Sequence, residues 1–241
     1  MKTVELNRVS HSYNGQTVLN NVSVSFEEKK ATAIIGKSGS GKSTLLKTLN
    51  GLVLPTSGQV TIFGEAFDYE QVNAIRLRMG YMVQGTGLFP HLTIAENISI
   101  AGRITSTKIN SRDRINELMA LVSLPESFKK KYSYELSGGE QQRVGICRAL
   151  FLNPPILLMD ESLGALDPIT RQEIQLEILK LQQVEPRTIL LVTHDMREAK
   201  KLADYIVVLD KGEVQQFDTT EKVLSQPATQ AVKDLIDASL S

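Results

Sequence analysis

The 241 residues suffice to bury a full core, as one domain or one domain with an insertion. The 27 Lys+Arg balance the 27 Asp+Glu, which argues against a basic nucleic-acid-binding surface, so no nucleic-acid partner is expected. A lone cysteine, Cys147, excludes an internal disulfide and suits a reducing compartment, and no apolar run approaches the roughly 18 residues of a membrane-spanning helix.

In chain order, Met1-Lys2-Thr3-Val4-Glu5 carries no apolar signal core, so the chain is expected to stay in the cytoplasm. Val22, Val24 and Phe26 alternate with Ser23 and Ser25, the period of a half-buried antiparallel strand. Residues 31–35 read as a buried strand running into the glycine-rich run Gly36-Lys37-Ser38-Gly39-Ser40-Gly41-Lys42-Ser43. A helix over 42–49 follows, stopped by Asn50-Gly51 and then Pro55. Residues 59–63 and 80–83 are further strands.

After Gln84 the pattern turns helical, with helices predicted over 94–101, 112–122 and 137–151. Cys147 falls among Val144, Ile146 and Leu150 on the last of these, the setting of a buried thiol. Strands at 156–159, 188–192 and 205–209 then alternate with helices at 169–183 and 197–202, and Ile174, Ile178 and Leu181 form an apolar stripe on the first helix. That alternation predicts an α/β fold with a parallel sheet covered on both faces. Gly212, with Val214 and Phe217 beyond it, suggests a closing hairpin, and short helices are predicted at 220–225 and 229–236.

The run from Gly36 to Ser43 has the spacing G-x-x-x-x-G-K-[ST] between a strand and a helix. Glycines let backbone N–H groups approach phosphate oxygens, and the helix start adds partial positive charge. Lys42 is expected between the β- and γ-phosphates of a nucleotide, and the Ser43 hydroxyl on Mg²⁺. Asp160 and Glu161 end an apolar strand at the edge where open α/β sheets bind ligands. Asp160 is therefore expected near Mg²⁺, and Glu161 to accept a proton from an attacking water. His194 ends another such strand, where it is either structural or a phosphate contact.

A second glycine turn, Ser-Gly-Gly, is the more informative one. Leu136-Ser137-Gly138-Gly139-Glu140-Gln141-Gln142 also opens a helix, and a second anion seat is redundant for holding one nucleotide within one chain. Two copies arranged head to tail would use both seats by forming two composite sites.

With these runs in this order, together with Gln84 and Ala165-Leu166-Asp167, the chain resembles the nucleotide-binding subunit of ABC transporters over almost its whole length. The resemblance implies a P-loop NTPase core with a mixed sheet, an N-terminal antiparallel β subdomain and a helical insertion. Residues 1–241 would then be a single ABC ATPase domain, with 1–84 and 151–241 as a RecA-like core and 85–150 as the helical signature subdomain. It implies ATP and Mg²⁺ as cofactors. Tyr13 would stack on adenine, and Gly36, Lys37, Ser38, Gly39, Ser40, Gly41, Lys42, Ser43 and Thr44 would hold the phosphates. Ser43, Gln84 and Asp160 would hold Mg²⁺. Glu161, His194 and Gln84 would act on the water and the γ-phosphate. Ser137, Gly138 and Gly139 would contact ATP bound by a second copy, and Asp167 would cross the dimer interface. The same resemblance implies integral membrane permease partners, indirectly a solute-binding protein, and a peripheral place on the cytoplasmic side of the inner membrane.

Leu88-Phe89-Pro90-His91-Leu92-Thr93 and the run from Gly164 to Arg171 look most like bacterial importers, and the second is nearest to the glycine betaine, choline and carnitine group. Polar amino acid import is the runner-up, a soluble ATPase of DNA repair or translation is a third reading, and a P-loop kinase or GTPase a fourth. Ser162 departs from the family's usual proline. The chain also ends at Ser241 without the paired regulatory domains of many osmoprotectant ATPases, so direct regulation through such domains is not expected. A permease is expected to dock over residues 84–98, where Leu88, Phe89, Leu92 and Ile94 line a groove or else belong to the core.

Overall fold

The computed structural model describes residues 2–105, 109–164 and 166–240. The chain divides into two compact units, Met1–Arg76 with Arg187–Ser241, and Leu77–Pro186.

The first unit holds an antiparallel sheet and a mixed one. Strands β1 (Lys2–Tyr13), β2 (Gln16–Glu27), β4 (Ser57–Ile62) and β5 (Glu65–Ala66) form the antiparallel sheet in the order β2-β1-β4-β5. The alternation at Val22, Val24 and Phe26 marks β2, whereas β1 carries no such signal, for a physical reason. Arg8 has φ 49° and Asn21 φ 51°, so the register slips on both strands and the buried set moves from Val4 and Leu6 to Val9 and His11. Such bulges break the period of two that marks a strand. Side chains bond the displaced backbone: Arg8 N–H donates to Ser23 Oγ and Asn21 N–H to Ser10 Oγ, each at 2.9 Å.

In the mixed sheet β3 (Ala31–Ile35) lies parallel to β8 (Thr188–Thr193) and to β9 (Tyr205–Asp210), and β10 (Glu213–Thr219) is antiparallel to β9. A register shift between Val214 and Gln216 replaces the expected alternation on β10 with half-burial along most of its length. Helices α1 (Lys42–Leu49), α2 (Val72–Arg76), α7 (Met196–Leu202), α8 (Thr220–Ser225) and α9 (Gln230–Leu240) complete the unit. Ala33, Ile35, Ile206 and Val208 pack with Met196, Ala199, Val223, Val232 and Ile236, so α7, α8 and α9 cover one face of this sheet.

The second unit pairs β6 (Met79–Met82) in parallel with β7 (Ile156–Asp160). Helices α3 (Ile94–Thr105), α4 (Ser111–Leu121), α5 (Gly138–Leu150) and α6 (Pro168–Val184) and two 3₁₀ turns, Glu126–Lys130 and Ser133–Glu135, surround it. The turns, like α2 and β5, are too short to leave a periodic signal. Cys147 is fully buried, as expected, and its thiol donates to Leu118 O at 3.4 Å. Burial pushes that thiol well above its ordinary range. A thiol reagent at pH 8 will therefore leave the native chain unlabelled and label it on unfolding. Stability will fall above about pH 9, because there the unfolded chain ionises its thiol and the folded chain does not. Labelling of the native chain would contradict this packing.

Candidate functional site

The glycine run occupies the turn from β3 into α1. Gly39 and Gly41 have φ 78° and 101°, so the two glycines adopt the left-handed conformation that L side chains resist. Gly36 has no room for a side chain either, since a Cβ there would collide with Leu209 O and Ser40 Oγ. Gly41 is the N-cap of α1, and no side chain caps that helix. The first intrahelical bond is Leu45 N–H to Gly41 O at 2.8 Å. Lys42 is buried, and its ammonium donates to Gly36 O at 2.9 Å and Lys37 O at 3.0 Å, which turns the charge into the loop. Glycine-lined backbone, an uncapped helix start and an enclosed ammonium together fit a polyphosphate chain. Ser43 and Thr44 follow in the first turn of the helix, half-buried, while Lys37 and Ser38 are exposed on the loop.

Gly41→Ala will cost about 2 kcal/mol of stability, because it adds backbone strain and sets a Cβ 2.7 Å from Val18 O. Thermal unfolding checks this, and an unchanged midpoint would show that the loop tolerates a side chain.

Register brings the other loops of each unit to one sheet edge. In the first unit Ile35 pairs with Thr193, so the glycine loop and His194 leave neighbouring parallel strands at the same end. His194 is exposed between the end of β8 and Asp195, which caps α7 by accepting from Arg197 N–H at 2.8 Å. In the second unit Met82 pairs with Met159, so Gln84 and the Asp160-Glu161 pair emerge side by side. Gln84 is exposed, Asp160 is buried at 5 % exposure, and Glu161 is half-buried with φ 45°. A non-glycine residue in that conformation is strained, as is common at reactive positions. Ser162 is buried and its hydroxyl has no hydrogen-bond partner among the described residues.

Tyr81 was not anticipated. Its phenol donates to Asp160 Oδ2 at 3.3 Å, and burial first, then the Asp160 charge and this bond, push its ionisation far up. The phenol therefore stays a donor to the carboxylate at any ordinary pH. No sequence signal marks it except its place on a strand beside the carboxylates.

Tyr13 ends β1 at 46 % exposure, before the Asn14-Gly15 turn with φ 48° and 82°. Asn-Gly is a strong hairpin signal, and here it joins β1 to β2. The His11 ring meets Tyr13 edge-on with centroids 4.4 Å apart.

The Ser137-Gly138-Gly139 turn opens α5 with Ser137 as N-cap. Gly138 has open space around it, whereas a Cβ at Gly139 would collide with Thr170 on α6. Asp167 caps α6, accepting from Ile169 and Thr170 N–H at 3.1 Å each, and the bonds from Thr170 lead in holding its carboxyl below the usual range. Arg143 ties the two helices together through Glu173 at 2.6 Å and Glu177 at 3.3 Å. Ala165, which belongs to the Asp167 motif, lies outside the described residues.

The segment after Gln84 is fastened to α5: Arg148 donates to Gly87 O at 2.6 Å and Thr86 O at 3.1 Å. Asn97, fully buried, then accepts from Phe89 N–H at 2.8 Å and donates to Phe89 O and Leu92 O at 3.0 Å each. Ile94 is fully buried and belongs to the core, the second of the two readings its sequence left open, so it is not part of a docking groove. Phe89 remains 41 % exposed, with Leu88 and Leu92 half-buried.

The family model described as "ABC transporter" matches residues 19–164. The glycine betaine uptake system ATP-binding protein YehX of Escherichia coli K12 is 42 % identical over 98 % of this chain and 77 % of its own length. The choline transport ATP-binding protein OpuBA of Bacillus subtilis is 43 % identical over 96 % of this chain, which spans 61 % of that relative. Among solved structures, the ATP-binding cassette MJ0796, dimeric in a post-hydrolysis state with ADP and Pi, superposes with a TM-score of 0.81 at 33 % identity. That match covers 90 % of this chain and 98 % of the other. The mixed sheet, the antiparallel sheet at the N-terminus and the helices agree with that fold, and the chain belongs to the ABC transporter family.

Proposed function

We propose that the chain is the ATP-hydrolysing subunit of an importer for quaternary amine osmoprotectants. The observation that carries the ATPase reading is the uncapped, glycine-lined start of α1 with the Lys42 ammonium turned into the loop. The solute class is supported by relatives that are named for glycine betaine and choline.

In this reading Gly36 to Thr44 hold the phosphates, and Tyr13 stacks on adenine through its exposed ring. The Ser43 hydroxyl, the Gln84 amide and the Asp160 carboxylate are oxygen donors that suit Mg²⁺, and no cluster of three His, Cys, Asp or Glu residues among the described residues offers a protein-only cage. Mg²⁺ when bound would neutralise phosphate charge. Glu161 takes a proton from the attacking water, while Gln84 and His194 position it. Ser137, Gly138 and Gly139 contact ATP held by a second copy, so turnover needs a head-to-tail dimer, and Asp167 crosses the interface. Residues 1–84 and 151–241 act as the nucleotide core and 85–150 as the signature subdomain.

No described helix is long and apolar enough to cross a membrane. In this reading a separate permease, of the kind that import systems named for glycine betaine and choline use, supplies the path for solute. It docks over the loop held by Asn97, where Phe89 is exposed, and keeps this subunit at the cytoplasmic face of the membrane. A solute-binding protein delivers cargo to that permease. Membrane vesicles that contain the chain and its co-purifying permease will show ATP-dependent uptake of labelled glycine betaine. Uptake of a polar amino acid instead would reassign the solute, and recovery of ribosomes or DNA with no permease would overturn the transport reading.

A further inference from the structure

Glu140 lies in the first turn of α5 and closes back on Ser137. Its Oε2 accepts from Ser137 N–H at 2.7 Å and from the Ser137 hydroxyl at 2.8 Å, while Ser137 Oγ accepts from Glu140 N–H at 3.4 Å. The two bonds from Ser137, with Lys131 and Arg143 nearby, hold the Glu140 carboxyl below the usual range, so it is ionised at neutral pH. Ser137 is exposed to solvent at the start of the helix.

A serine hydroxyl has one proton to donate. Here a carboxylate takes that proton. In the composite-site reading, a γ-phosphate oxygen brought by a second copy needs the same proton. A second anion also has to enter the field of the Glu140 charge, at a helix start whose partial positive charge Glu140 already offsets. Two anionic acceptors compete for one donor, and either gain comes at the loss of the other. A capping box closed by a neutral glutamine would keep the helix start and lack this competition.

We propose that Glu140 is a positioning residue that latches the Ser137 hydroxyl away from phosphate, and so raises the ATP concentration needed to close the dimer and speeds its reopening. No covalent bond changes. One hydrogen bond passes from carboxylate to phosphate on closing and returns on opening. The proposal rests on the reading of Ser137 as a contact to ATP held by another copy.

The test compares the chain carrying Glu161→Gln with the same chain carrying Glu140→Gln as well, by sedimentation velocity across a series of Mg-ATP concentrations at low and high salt. Glutamine keeps an acceptor for Ser137 N–H and removes the charge. The midpoint for dimer formation is expected to fall roughly three- to tenfold in the Glu140→Gln protein at low salt, with a smaller difference at high salt. Dissociation after ATP is diluted away is expected to slow by a similar factor. Glu140→Ala, which removes the acceptor altogether, is expected to unfold at lower temperature than Glu140→Gln, and this separates capping from charge. Equal midpoints and equal reopening rates in the two Glu161→Gln proteins, with ATP-dependent dimers in both, would overturn the latch alone. A dimer in neither would overturn the latch together with the composite-site reading.

Discussion

Glu161→Gln will bind ATP, hydrolyse it about a hundred- to ten-thousandfold more slowly than the native chain, and accumulate as a dimer. Glutamine matches glutamate in size and can still hydrogen-bond a water, but it cannot take the water's proton. The change leaves the architecture around it intact. Asp160 stays buried beneath the Tyr81 phenol, and glutamine is as able as glutamate to adopt the φ of 45° at residue 161. In the proposed reading what is lost is the base, and a loss of that size is what removal of one general base produces. Because release of the dimer follows hydrolysis in this reading, slowing hydrolysis leaves the closed form populated. Phosphate release and sedimentation on the same sample check both halves. Ordinary turnover in the variant would remove Glu161 from this role.

Ser137→Arg will abolish hydrolysis, with a fall of more than about a hundredfold, and leave ATP binding by the isolated chain within about threefold of native. The substitution removes the N-cap of α5, at a cost of about 1 kcal/mol. It also sets a long cation on an exposed turn where Gly138 otherwise leaves open space. If the turn serves a neighbouring copy, the defect lies in the neighbour's site. Mixing Ser137→Arg with Lys42→Ala chains will then restore turnover that neither has alone. In the mixed dimer, one site combines an intact glycine loop with an intact Ser-Gly-Gly turn. Failure of the mixture, with loss of ATP binding by the Ser137→Arg chain itself, would mean that the turn acts within its own chain.

Much of the fold was legible because its signals are local. The bounds of β3 and α1 follow from a mostly apolar run, a glycine turn and an Asn-Gly stop, all between residues 31 and 51, and the structure reproduces them at Ala31–Ile35 and Lys42–Leu49. Strand β1 was not legible because bulges at Arg8 and Asn21 move its buried face partway along. The positions of Asp160 and Glu161 at a strand end were readable from the apolar residues before them, and the structure places them there. The Tyr81 bond to Asp160 and the Asn97 staple were not readable. Each joins residues whose proximity is set by strand register or by a folded loop, and neither residue type announces a partner. Ile94 shows the limit from the other side. An apolar residue in an exposed motif reads equally as contact surface or core, and only burial decides.

The contact between Gly139 and Thr170 constrains how this chain can vary. A methyl at position 139 has no space while Thr170 keeps its Cγ2, and the Arg143 bonds to Glu173 and Glu177 hold α5 and α6 together. A methyl there is admitted only if the Thr170 side chain turns aside or the two helices shift. A larger residue at 139 is therefore accommodated best beside a smaller one at 170, which couples the two positions.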